Sequence, residues 1–333
     1  MISFEPLNMV EIDWDEVAAL GEVNIFQSSS WLKFLSDTHQ AIPLIAAIKS
    51  DGHRIGYFTG VIVKKYGIKI LGSPFRGLGT YFMGFNLAPG YSRQSVLQSF
   101  PNFAFKELGC HYLEIIDPEM CLDGWDGHAY GTECLNWFVI DLTPSEDKLF
   151  SRMESSGRNC IRKAIRSGVS TEAVEDINFA EEYYSQYQSI MALHNLVPTY
   201  GLDYVKNMIE YLLPTGNLLL LRSRADNGLS IATGIFLALN KTAVFWGAAS
   251  LREYQSLRPN EPLAWEGMKR LKARGIRILH LGGTCDQYKK KLGGMDACLY
   301  RLRKTRFRVL DYLIKIAISP GNDRYKNWML RRL

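Results

Sequence analysis

The 333-residue sequence has no C-x-x-C pair, no H-E-x-x-H, no G-x-S-x-G elbow, no Walker A loop and no G-x-G-x-x-G opening a helix. These absences remove the zinc proteases, the elbow-type serine hydrolases, the P-loop NTPases and the dinucleotide-binding oxidoreductases from the candidate classes. The six histidines (His39, His53, His111, His128, His194 and His280) are scattered, with no ligand spacing to one another or to cysteine, so no metal is expected. Cys110 and His111 are adjacent, and on a strand such neighbours face opposite ways. The six cysteines are widely spaced, the pattern of reduced thiols in a cytosolic protein. No secretory h-region follows Met1, no apolar run reaches the length of a membrane-spanning helix, and the expected location is the cytoplasm, free or peripheral at the inner membrane face.

What remains is the composition of a globular chain. Hydrophobic residues make up 47% and charged residues 22%, ordinary values that support a full core without staples. The length suggests two domains. The formal net charge is +5, and it is unevenly placed. From Tyr300 onward, Arg301, Arg303, Lys304, Arg306, Arg308, Lys315, Arg324, Lys326, Arg331 and Arg332 stand against only Asp311 and Asp323. Such an end suits phosphate-bearing partners: a nucleotide-linked precursor, an anionic membrane surface or RNA. A solubilising tail is the plain alternative. Val309 to Ile318 reads as an amphipathic helix, which either packs on the first domain or touches membrane.

The order of elements is legible. A strand and a short helix fill residues 1–20. A serine of the run Ser28-Ser29-Ser30 caps a helix whose first turn holds Trp31. Two β-branched runs flank Ser50-Asp51-Gly52, a hairpin signal. A strand over 69–71 leads into a long loop, Gly72 to Gly84, rich in glycine and aromatics, in which Arg76 and Tyr81 are candidates to hold a sugar or peptide. Ser92 to Leu108 has helical spacing with a break expected at Pro101. Tyr112 to Ile116 is a strand closed by Asp117-Pro118, where proline holds Asp117 extended; an Asx turn is the plain alternative for that aspartate. A strand over 137–142 and an N-cap signature at Thr143 to Glu146 open the second half. There, helices over 179–194 and 202–213 precede strands over 217–223, 229–239 and 242–250. After Gly294, Cys298 to Val309 reads as a strand.

Three stretches are candidates for chemistry. Arg158 to Val169 is a cationic helix (Arg158, Arg162, Lys163, Arg166) ending at Gly168, which on charge alone is a favourable helix C-terminus. The strand Ala243 to Ser250 contains Trp246 and small residues that leave backbone amides open to a ligand. The run from Leu257 to Gly294 reads as a helix closed by Gly275, a short strand, Gly282-Gly283, then Tyr288-Lys289-Lys290-Lys291-Leu292-Gly293-Gly294. Cations just past a strand's C-terminal end lie where α/β folds place ligands.

These stretches, in this order, resemble the FemAB-like aminoacyl and acyl transferases. The resemblance rests on Phe26-Gln27 with Trp31, on Ile116-Asp117-Pro118, on Arg158 to Val169, on Trp246-Gly247-Ala248-Ala249-Ser250, on Pro259-Asn260 with Trp265, on Gly282-Gly283, and on Tyr288-Lys289 with Leu292-Gly293. Arg166 stands for a usual lysine and Leu292 for a usual phenylalanine. The resemblance runs from Phe26 to about Arg308. It implies an α/β (α+β) chain of two tandem GNAT-like domains, each a mixed, mostly antiparallel sheet flanked by helices. Domain 1 would hold residues 1–143 plus about 305–333, and domain 2 residues 144–304.

The activity implied is N-acyl transfer to an amine of a cell-envelope peptidoglycan or polysaccharide precursor. The donor is aminoacyl-tRNA or acyl-CoA as co-substrate, with no tightly bound cofactor. Partners would be the small-molecule or lipid-linked precursor, tRNA, and an anionic membrane met through the basic C-terminus. Leu257 to Pro262 lacks the glycine-rich turn usual for the acetyl-CoA pyrophosphate. Asp117, with Glu114 second, is the expected carboxylate that takes the amine's proton. Lys289, or the backbone amides of Phe245 to Ala248, would hold the oxyanion. Arg76, Tyr81, Trp246, Arg158, Arg162, Lys163 and Lys290 are the expected substrate-binding residues. A non-catalytic double-GNAT module that binds a nucleotide sugar or anionic lipid is the alternative.

Overall fold

The computed structural model describes residues 1–19, 23–65, 67–75, 77–122, 130–307 and 309–310. Arg76, Arg308, the expected helix beyond Leu310 and the remaining basic tail lie outside the described residues. The chain divides into two compact units, Met1–Leu135 with Leu299–Leu333, and Asn136–Cys298. The elements run β1 (Ile2–Leu7), α1 (Trp14–Ala19), α2 (Ser29–His39), β2 (Ile42–Ser50), β3 (His53–Lys65), β4 (Ile68–Ser73), β5 (Gly84–Leu87), α3 (Arg93–Asn102), β6 (Tyr112–Ile116) and β7 (Gly131–Asp141). They continue as α4 (Glu146–Arg152), α5 (Ser155–Arg166), β8 (Ser170–Val174), α6 (Phe179–Leu193), α7 (Leu202–Leu212), β9 (Leu218–Arg224), β10 (Ser230–Leu239), β11 (Thr242–Ser250), α8 (Asn260–Ala273), β12 (Ile278–Gly282), α9 (Asp286–Lys291) and β13 (Met295–Thr305).

In the first unit β1, β2, β3 and β4 pair antiparallel in that order, β5 adds to β3, and β4 pairs β6 in parallel. The β2–β3 hairpin turns at Asp51 and Gly52, both at positive φ (49° and 84°), as a two-residue turn between right-twisted strands requires. Thr305 to Arg301 of β13 close the unit against Tyr112 to Ile116 of β6. α3 connects the parallel pair. It contains Pro101 and passes directly into a π-helical turn, Phe103–Glu107, because proline supplies no N–H to the regular ladder. The core is aromatic: Phe58 lies 4.4 Å from Phe100 and Phe4 stacks on Phe103 at 5.0 Å between ring centres.

The second unit repeats the scheme. The β9–β10 hairpin, β11, α8 and β12 follow in the same order as β2–β3, β4, α3 and β6, and β11 pairs β12 in parallel. β8 extends the edge beyond β9, and Phe138 to Asp141 of β7 pair with β12. α5 and α8 pack against each other, with α8 on β9 and β10, while α6 packs on β10, β11 and α7. α8 approaches the sheet at Gly267, where an added Cβ would lie 2.4 Å from the Phe236 ring. Phe236 in turn stacks on Phe245 at 4.3 Å. Each unit is therefore a mixed, mostly antiparallel sheet with helical cover. One expectation is corrected: Cys134 and Cys298 are disulfide-bonded, whereas Cys110, Cys121, Cys160 and Cys285 are free thiols. Among the described residues no helix is long and apolar enough to cross a membrane.

Candidate functional site

The second unit gathers chemistry where its parallel strands part. The β11–β12 ladder covers only Thr242 to Val244 against Ile278 to His280, although β11 continues to Ser250. Just beyond, the register of β11 against β10 slips: Ile235 faces Gly247 and Phe236 faces Phe245, leaving Trp246 as the extra residue of a bulge. A bulge re-aims a side chain. Trp246 is 6% exposed and lies 6.0 Å from Tyr204, nearly parallel to it, and 5.2 Å from Tyr200. The stack continues through Tyr187, 4.8 Å from Tyr200, to Tyr183 and Phe179. The hydroxyls of Tyr183 and Tyr200 are hydrogen-bonded at 2.7 Å. Gly247 is where this stack meets the sheet, since a Cβ there would come within 2.4 Å of the Tyr183 hydroxyl.

β12 ends at Gly282 (φ 86°), and α9 starts after Cys285 (φ 59°). The triple-lysine run is therefore one short helix rather than a loose string of charges, and its members do different things. Lys291 pairs with Glu261 of α8 at 2.5 Å. Lys290 pairs with Asp296 at 3.3 Å from an exposed position. Lys289 turns inward and is 7% exposed. Its Nζ lies 5.7 Å from the centre of the Phe138 ring and 3.3 Å from the place a Cβ on Gly282 would occupy. Burial lowers its pKa from the ordinary lysine value, opposed by the weaker pull of Cys285 and Asp286. Gly293 and Gly294 let the chain fold back on the helix end: the Gly294 N–H donates to the Lys289 carbonyl at 2.9 Å. Beside this helix His280 accepts from the Trp137 indole N–H at 3.1 Å, and burial pushes its pKa down to about 4. It is a neutral packing imidazole at pH 7.

The first unit holds the expected carboxylates, and both are occupied. Asp117 is 2% exposed. Its Oδ2 accepts from the Phe85 N–H at 2.9 Å and from Arg93 Nε at 3.1 Å, and its Oδ1 accepts from the Glu119 N–H at 2.9 Å. Gly84 (φ 95°) permits this approach, because a Cβ there would lie 2.5 Å from the Asp117 carboxyl carbon. Burial raises the Asp117 pKa, against the downward pull of Arg93 and the two amides. This set of partners gives Asp117 a positioning part: it ties β5 and α3 to the end of β6. Glu114 is likewise 2% exposed. It accepts from Tyr112 Oη at 2.7 Å and pairs with Arg301 and Arg303 at 3.3 and 3.5 Å. Both carboxylates are thus engaged by donors of their own unit. In the same unit Gln27 completes a capping box with Asn24 and donates to Asn86 at 2.7 Å. Trp31 Nε1 donates to Thr80 of the glycine-rich loop at 3.0 Å, and Tyr81 packs its ring edge-on to Phe26 at 5.8 Å.

The cations of α5 divide in the same way. Arg158 spends its guanidinium on the carbonyls of Ser151, at 3.1 Å, and Met153, which caps the end of α4. Arg162 lies over the Phe150 ring at 5.4 Å, and Lys163 is exposed. Sequence reasoning passed over the tyrosine stack, whose signal was the four-residue spacing of Tyr183 with Tyr187 and of Tyr200 with Tyr204. It also passed over Arg93, which pairs with Asp117 across 24 residues.

A family model described as an acetyltransferase (GNAT) domain matches residues 151–290, the part of the chain that carries the parted strands and α9 up to Lys290. The crystal structure of FemX has 13% identity to this chain, covers 93% of it and all of its own length, and superposes with a TM-score of 0.75. A tandem GNAT protein from the clavulanic acid biosynthesis pathway has 10% identity and covers 92% of this chain and 98% of its own, with a TM-score of 0.52. The chain has the tandem GNAT fold. A C-terminal domain of a putative lysylphosphatidylglycerol synthetase from Agrobacterium fabrum is a further similar structure, at 12% identity, 91% coverage of this chain and 94% of its own, and a TM-score of 0.55. No curated protein matches in sequence. The FemAB-like resemblance read from the sequence thus holds at the level of the tandem GNAT fold. Among the described residues no group of three or more histidine, cysteine, aspartate and glutamate side chains could hold a metal.

Proposed function

We propose that the chain is an N-acyltransferase that moves an aminoacyl group from aminoacyl-tRNA, or an acyl group from acyl-CoA, to an amine of a cell-envelope peptidoglycan or polysaccharide precursor. The observation that carries this reading is Lys289, a buried ammonium with no ion pair among the described residues, placed beside the end of β12. The fold supports acyl transfer, and the similarity to FemX and to a putative lysylphosphatidylglycerol synthetase favours envelope acceptors.

The acceptor nitrogen attacks the donor's carbonyl carbon. The carbonyl oxygen takes negative charge, and the C–O bond of the ester or the C–S bond of the thioester then breaks. The leaving oxygen or sulfur ends with the proton that the amine loses. A lysine-like amine must first become neutral, which at pH 7 costs roughly 4.6 kcal/mol for a pKa near 10.4; an apolar setting lowers that cost. Lys289, presented from a site that excludes water, supplies the donor for the oxyanion, a contribution of about 10²- to 10³-fold in rate. The amides of Phe245 to Ala248, past the end of the β12 ladder, are the second source. Asp117 acts through the packing of the first unit.

The test incubates the protein separately with charged tRNA and with acyl-CoA, each with amino-sugar and peptide precursors, and reads the products by mass spectrometry. A mass increase equal to the donor's acyl group on one acceptor supports the reading and names the donor. Tight precursor binding with no transfer from either donor supports the non-catalytic module in its place.

A further inference from the structure

Lys289 is a single side chain on a six-residue helix, and so short a helix holds no orientation by itself. Its orientation comes from two ties to the first turn of α8, one on each side of Lys289. The Tyr288 hydroxyl donates to the Asn260 carbonyl at 3.1 Å. The Lys291 ammonium donates to Glu261 Oε1 at 2.5 Å and to Cys160 Sγ of α5 at 3.1 Å. Residues three apart share a helix face, so Tyr288 and Lys291 bind α8 together while Lys289 is turned about 100° away. The backbone adds to this: the Glu154 N–H donates to the Lys291 carbonyl at 3.2 Å, and Gly157 passes so close to that carbonyl that a Cβ would lie 2.5 Å from it. Glu261 is 5% exposed, and a carboxylate in a helix's first turn also gains from the helix dipole.

We propose that Glu261 and Tyr288 are positioning residues for Lys289: by fastening α9 to the start of α8 they keep its ammonium against Phe138 and the end of β12, away from water. The proposal rests on Lys289 as the group that meets the oxyanion. The groups around Lys289 are few. Cys285 and Asp286 act on it from its own helix turn, and Lys290 shares the Phe138 ring at 5.7 Å. β7 presents Phe138, with Asn136 bonded to Asp286. β12 presents Gly282, and its His280 is turned onto Trp137. From α8, Glu261 is taken by Lys291.

Competitive labelling of the full chain with acetic anhydride across a pH series, resolved by peptide mass spectrometry, reads the titration of Lys289 without requiring activity. In the wild type the Lys289 midpoint falls below the ordinary lysine value of about 10.4. Glu261→Gln and Tyr288→Phe raise it by about half a unit or more towards that value, and in any active preparation lower kcat with little change in the acceptor KM. Lys291→Arg, which keeps the ion pair, and Glu266→Gln, which breaks an exposed pair on the same helix, leave it at the wild-type position. Tyr288→Phe is nearly isosteric and serves if Glu261→Gln does not fold. An unshifted midpoint in a folded Glu261→Gln or Tyr288→Phe protein, or an equal shift in Glu266→Gln, overturns the proposal. Absence of transfer by the wild type overturns the acyltransferase reading and leaves the labelling result to stand on its own.

Discussion

The Lys289 ammonium lies 5.7 Å from the centre of the Phe138 ring, and no carboxylate forms an ion pair with it among the described residues. A ring face offers a cation less than the water it replaces, so this placement costs stability. Lys289→Met is therefore expected to raise unfolding free energy at pH 7 by about 0.5–2 kcal/mol while slowing turnover by about 10²- to 10³-fold. The pH dependence has a definite sign. The folded pKa is lowered, so between it and the unfolded value the unfolded chain binds more protons, and stability climbs as pH rises through that window. Urea denaturation at pH 7 and above pH 9 should show the climb in the wild type and lose it in Lys289→Met.

His280 gives a second pH signature at the acid end. Its folded pKa is about 4, below the free value near 6.5, so the neutral form is favoured by folding. The chain should lose stability as pH falls from about 6.5 towards 4, by about 3 kcal/mol in total from this group. Denaturation curves of the wild type and His280→Gln at pH 7 and pH 4.5 check it: the variant should show a flatter decline.

Asp117 and Arg93 form a buried pair at 3.1 Å. Removing one member leaves the other charge uncompensated, so Asp117→Ala and Arg93→Ala are each expected to destabilise by about 3–5 kcal/mol, with strong coupling in a double-mutant cycle. Gly84→Ala should do comparable harm through the 2.5 Å clash with the Asp117 carboxyl. If the pair is a positioning device, folded Asp117→Asn turns over faster than Lys289→Met.

Gly247 couples the sheet to the tyrosine stack. A methyl there meets the Tyr183 hydroxyl at 2.4 Å and displaces it from Tyr200. Gly247→Ala should cost about 1–3 kcal/mol, and Tyr183→Phe about 0.5–1.5 kcal/mol for the lost hydrogen bond. Combined with Tyr183→Phe, Gly247→Ala should cost less than it does alone, which thermal denaturation of the three variants can decide.

Where sequence reading reached the structure, strong local signals were present. Asp51-Gly52 announced a hairpin, the serine run before Trp31 and the stretch Thr143 to Glu146 announced helix starts that the structure caps with Ser28 and Ser145, and Gly275 closed α8 at positive φ. Pro101 marked a break that the structure resolves as a π turn. Where it stopped short, the determining contacts are distant in sequence. The exposed, polar β8 has a weak alternation and is a strand because β9 pairs with it. The lysine run gave no sign of which lysine turns inward, because that depends on Asn260 and Glu261 about 30 residues earlier. The Asp117-Pro118 motif gave no sign of the donors that Asp117 accepts from, Arg93 and the Phe85 amide, because they come from α3 and β5. The bulge at Trp246 is a register event between β10 and β11, and no single-strand pattern contains it.

The most direct test of acyl transfer through Lys289 is the single-turnover rate of wild type and Lys289→Met on the acceptor found in the donor screen, with both proteins shown to be folded. A fall of about 10²- to 10³-fold, with acceptor binding retained, is the predicted result. A Lys289→Met protein that transfers the acyl group at the wild-type rate contradicts the account.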